Sequence, residues 1–128
     1  MGQVCHLVPP DVVRLELSGG DFLDVKRELN YGEQRKMQTA GLKRDGVDYV
    51  RDLEREEIVV ILAYVLGWSF VDFAGAPLPF SEATITGLGF DKVREIVRAL
   101  NAHVTAEDAR RAELRANPPG ASALRAIS

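Results

Sequence analysis

Cysteine is all but missing from this chain of 128 residues, where Cys5 stands alone. One thiol excludes an intramolecular disulfide and a thiolate metal cluster, and suits a reducing compartment. A reactive thiolate at Cys5 would need a neighbouring base, and the side chain of adjacent His6 diverges from it in an extended segment, so an inert thiol is expected. Histidine is almost as scarce: His6 and His103 are the only two, and neither lies in an HExxH or close His–His spacing. No metal site is expected, and His103 reads as a residue near a helix C-terminus that supports the helix dipole. No apolar run reaches the length of about 18 residues that a membrane helix requires, the longest being Ile58 to Gly67, and no basic-then-apolar leader opens the chain. No membrane partner follows.

The signatures of catalysis are missing too. Glu56-Glu57 and Glu107-Asp108 are sequence neighbours, which sets their side chains roughly 100° apart on a helix instead of facing one substrate. Ser18, Ser69 and Ser81 lack a GxSxG elbow, and Gly87-Leu88-Gly89-Phe90 lacks both the GxGxxG pattern and a Walker lysine. The expectation is a protein that is not an enzyme, with no catalytic residue and no cofactor. A basic stripe is also lacking: net charge is −3, and the eight basic residues between Lys26 and Arg55 are interleaved with six acidic ones. That pattern is a solvated face, not a phosphate-binding one. Trp68, Phe70 and Phe73 could stack bases, but basic residues do not surround them. Trp68 and Phe70 are expected to fold back over the helices, and no nucleic-acid partner is expected.

What is present is a composition, 46% apolar and 27% charged, that suits one folded domain with a hydrophobic core. Residues 11–18 alternate apolar and polar as a half-buried strand does; Ser18-Gly19-Gly20-Asp21 supplies a turn, and Phe22, Leu23 and Val25 return, which predicts a β-hairpin. Asn30 with Glu33 is a capping box and predicts a helix from about Tyr31 to Arg44, ended by Asp45-Gly46. From Asp48, the residues Tyr49, Val50, Leu53, Val60, Ile61, Tyr64, Val65 and Trp68 space as a helical stripe that Gly67 terminates; the nearly continuous apolar run Ile58 to Leu66 fits a central buried helix or a core strand, and its length favours the helix. Ala74 to Pro79 is a rigid connector, and Ser81 caps a short helix through Leu88. Phe90, Val93, Ile96, Val97, Leu100 and Val104 form the apolar face of a further helix from about Asp91 to His103. A separate, weakly amphipathic helix from Thr105 has almost nothing to bury, and the proline-containing end of the chain is expected to be mobile. The fold class is therefore α+β and mainly helical, with an N-terminal β-hairpin packed on a bundle of about four helices. The organisation is an N-terminal extension at 1–10, one domain at 11–104, and a helix with tail at 105–128.

Three segments carry a family likeness: Glu28-Leu29-Asn30-Tyr31-Gly32-Glu33-Gln34-Arg35, Leu62-Ala63-Tyr64-Val65-Leu66-Gly67-Trp68-Ser69-Phe70, and Gly75-Ala76-Pro77-Leu78-Pro79-Phe80-Ser81. Over about residues 25 to 104 they resemble the small tail assembly chaperones of siphophages. In that family a helix ending in Trp is followed by a loop of the form Asp-x-x-Gly-x-Pro-Leu-Pro and then a helix pair. Here Asp72 and Gly75 to Ser81 hold the matching positions, whereas Asn30 stands where Thr is commoner.

The resemblance implies a chaperone in the host cell cytoplasm that coats the long tape measure protein, keeps its apolar helices soluble and recruits tail tube protein, with a homo-oligomer as a further expected assembly. Such a keeper needs adaptable apolar segments. Leu114, Leu124 and Ile127 in the C-terminal region, with Trp68 and Phe70, are the candidate partner contacts. The alternative from the same composition is a structural virion protein of the tail or head–tail connector.

Overall fold

The computed structural model describes residues 5–45 and 48–116. The expected hairpin is present: β1 (Val12–Glu16) and β2 (Phe22–Lys26) pair antiparallel, with Leu15 opposite Leu23 and Val13 opposite Val25. The turn between them is a single 3-10 turn in which Gly19 and Gly20 take φ of 71° and 81°, a region that side chains with a Cβ avoid. The next helix, α1 (Tyr31–Ala40), begins with the capping box read from the sequence: Asn30 Oδ1 accepts from the Glu33 N–H, and Glu33 Oε1 accepts from the Asn30 N–H.

α1 stops four residues earlier than the sequence suggested, and the chain turns into a second hairpin, β3 (Leu42–Asp45) with β4 (Asp48–Arg51). Gly41 stands at the stop, and a Cβ there would lie 2.9 Å from Glu56 Cγ and displace that side chain. The Gly41 carbonyl also accepts from the Asp52 N–H, tying the two ends of the hairpin together. Tyr49 and Val50, read as helical, thus lie on a strand. The next helix, α2 (Leu53–Tyr64), starts later, with the Asp52 side chain accepting from the Arg55 N–H.

α2 also ends before Gly67. Val65–Trp68 forms β5, the third strand of a sheet ordered β1-β2-β5. Trp68 lies opposite Leu23 and Val65 opposite Val25, with a bulge that leaves Leu66 out of register. The extra residue points outward and is half exposed. A continuous apolar run thus serves a helix and a strand in turn, because β2 offered an unpaired edge. With strands on both sides and helices on one face, Leu23 and Val25 are fully buried.

After the connector come α3 (Glu82–Gly87), capped by Ser81 as expected, and α4 (Phe90–Ala116). α4 is one helix of 27 residues, so the helix break expected between His103 and Thr105 is absent. Ile96 and Leu100 from α4, Ile61 from α2, Ile85 from α3, and Leu23 and Val25 from β2 make the centre of the core. The α+β, mainly helical architecture with its N-terminal hairpin is therefore the observed one. The tail from residue 117, with Leu124 and Ile127, lies outside the described residues.

Candidate partner-binding surface

The second half of α4 is fastened to the body by polar groups. His103 is buried, and its Nε2 lies 3.0 Å from the Lys26 carbonyl oxygen and 3.1 Å from that of Arg27. Both are acceptors, so Nε2 carries the proton and donates. The ring also meets Tyr64 edge-on at 6.1 Å, and burial pushes the Tyr64 phenol above its ordinary pKa. One turn on, Glu107 is only 8% exposed. Its two oxygens accept from Arg27 Nη1 at 3.0 Å and Arg110 Nε at 2.8 Å. Burial raises the pKa of that carboxyl, but the Arg110 hydrogen bond and the charges of Arg110, Arg27 and His103 outweigh it, and the net shift is downward. Arg111 adds an ion pair to Glu28 at 3.4 Å. The role assigned to His103 from sequence, support of a helix C-terminus, is thus replaced by a buried link from mid-helix to the β2–α1 junction. Glu107, read from sequence only as the neighbour of Asp108, is part of the same seam.

The connector after β5 is built differently. Asp72 Oδ1 accepts from the Ala74 N–H at 2.8 Å and the Ala76 N–H at 3.0 Å, while Gly75 sits at φ 83° and the Asp72 N–H donates to the Ala76 carbonyl. Leu78 N–H returns to the Phe70 carbonyl, and Val71 bridges to Pro77. Trp68 locks the far end: its indole N–H donates to the Leu78 carbonyl at 2.9 Å, and its ring packs on Phe70 and Phe80 at centroid distances of 5.0 and 4.9 Å. Asp72, Gly75, Pro77 and Leu78 of the Asp-x-x-Gly-x-Pro-Leu-Pro loop each take part in ordering the backbone.

Of the candidate contacts, Phe70 is buried in the core and Trp68 is committed to the connector. Both turn inward, as their expected packing role requires, Phe70 fully and Trp68 in part. Leu114 is exposed near the end of α4. The apolar surface lies instead on residues the sequence did not single out as contacts. Val71 is 54% exposed and Phe73 fully exposed, and they border a shallow groove of about 520 Å³ that Leu78, Ala83 and Leu88 complete. Phe90, which follows the groove's Gly89, is 77% exposed, with the Arg94 guanidinium 6.0 Å from its ring centre. The sequence signal was the position of Phe73 inside a turn, between Asp72 and Gly75, where no core can reach it.

Among the described residues there is no cluster of His, Cys, Asp or Glu that could hold a metal ion, and no helix long and apolar enough to cross a membrane. Comparisons with family models, with curated proteins and with solved structures found no match to this chain.

Proposed function

We propose that this protein is a tail assembly chaperone of a tailed bacteriophage, which binds the tape measure protein, keeps it soluble and assists assembly of the tail tube. The observation that carries the reading is the exposed groove of Val71, Phe73, Leu78 and Leu88 on a connector whose backbone is held by Asp72, Gly75 and Trp68. Large apolar side chains displayed on a rigid support lose little conformational entropy on binding, which suits them to an apolar helical partner. The same connector carries one of the three segments on which the family resemblance rests, so part of the likeness and the apolar surface fall on one piece of chain. The reading assigns no catalytic residue and no cofactor.

Co-expression with a phage tape measure protein tests the reading. The expected result is a soluble complex that survives purification, and that Phe73→Ser weakens. A tape measure that stays insoluble, with this chain found in purified particles, replaces the chaperone with a structural component of the tail or head–tail connector.

A further inference from the structure

A second groove, of about 340 Å³, lies between α1 and α2 and is separate from the Phe73 surface. Met37, Val59, Leu62 and Ala63 give it an apolar lining, and Lys26, Lys36 and Arg55 line it as well, against a single carboxylate, Glu33. On a chain of net charge −3, the groove carries a surplus of one positive charge once Glu82, the partner of Arg55, is counted with Glu33. Lys26 is paired with Glu33, and Arg55 reaches Glu82 on α3. Lys36 is exposed and makes no ion pair with any described residue. Met37, unbranched and flexible, can adapt its shape to an incoming side chain.

We infer that this groove takes an acidic amphipathic helix of the partner, an apolar side chain entering over Met37 and Leu62 while a Glu or Asp one turn away meets Lys36. The inference rests on the chaperone reading for the partner's helical character, and on the charge of the groove for its acidity. The surplus positive charge of Lys36 beside an apolar floor favours a segment with acidic flanks over one with basic flanks, so the groove selects among apolar helices that the Phe73 surface would accept alike.

The test uses the full chain and two synthetic helical peptides with the same apolar face, one flanked by Glu and one by Lys, with binding read by fluorescence anisotropy. The Glu peptide is expected to bind at least about tenfold more tightly, with the difference shrinking as salt rises. Lys36→Glu should erase that preference, and Ala40→Trp, a substitution at an exposed lining position, should block both peptides by filling the groove. Arg98→Glu, an equal charge change on α4, should leave the preference intact. Circular dichroism confirms that each variant is folded. Equal binding of the two peptides, or an Arg98→Glu effect as large as that of Lys36→Glu, overturns the inference. Co-expression separates it from the reading beneath it. A tape measure kept soluble without any peptide preference leaves the chaperone and removes the groove. Peptide preference without a soluble tape measure keeps the groove and removes the chaperone.

Discussion

The seam under the second half of α4 and the connector after β5 reverse the usual distribution of polarity in opposite directions. In the seam, a histidine and a glutamate are buried, and each finds partners: two backbone carbonyls for His103, two guanidinium groups for Glu107. In the connector, Val71 and Phe73 are apolar and exposed, while the polar groups around them bond to each other. Buried polar groups that are fully satisfied fix one arrangement of a helix. Exposed apolar groups on a fixed backbone contribute nothing to the fold and are free to contribute to an encounter. The difference teaches that, in this protein, hydrogen bonding supplies local rigidity in both places, and that only the seam uses it to hold two elements together.

The largest effect should come from the core that both regions share. Leu100→Ala removes a fully buried side chain, and a loss of about 2–5 kcal/mol is expected in chemical denaturation. Next, Glu107→Ala strands Arg27 and Arg110 beside a gap. Hydrogen bonds to charged groups put the cost at about 1.5–3 kcal/mol, and hydrogen exchange should quicken over 105–116 while the turns around Ile96 stay protected. Equal exchange along all of α4 would show that the seam does not hold its second half. Phe73→Ser should change stability by less than about 0.5 kcal/mol, yet lower affinity for an apolar helical partner. A large loss of stability would instead give that side chain a part in the fold.

The smallest effect concerns acid. Glu95 receives hydrogen bonds from Lys92 and from the N–H and hydroxyl of Ser18, and its carboxyl is lowered from the ordinary 4.5 to about 2. A depressed folded value means that this contribution is complete above about 4.5 and is lost as pH falls towards 2. The thermal midpoint should therefore decline across that interval, and more shallowly in Glu95→Gln. Parallel declines would remove Glu95 from the account.

Local signals carried well from sequence to structure. The Ser18–Asp21 turn, the Asn30–Glu33 box and the Ser81 cap are each decided within a few residues, and each is found where the pattern put it. The misplacements were decided by distant partners. Nothing in Val65 to Trp68 says strand rather than helix until β2 supplies an edge to pair with. The second hairpin was hidden because Asp45-Gly46 serves equally as a helix stop and as a strand-turn signal. The break placed after Val104 came from the polar character of the residues beyond it, which settles only what an apolar core can use. It could not foresee that Arg27 would wait there for Glu107. The connector was legible as rigid, but the outward display of Phe73 was signalled only by its place inside the turn, and its nearness to Trp68 and Phe70, which has the composition of a core, masked that signal.

The bulge at Leu66 has a consequence for how this protein meets others. β5 is the last strand of its sheet, and an unpaired strand is a template on which a foreign strand can continue the hydrogen-bonded ladder. Four residues long and broken in its pairing beside Leu66, β5 offers too short and too twisted a row of backbone groups for such growth. Traffic across this end of the molecule is thereby confined to side chains, and runaway stacking of copies through their main chains is discouraged at its origin.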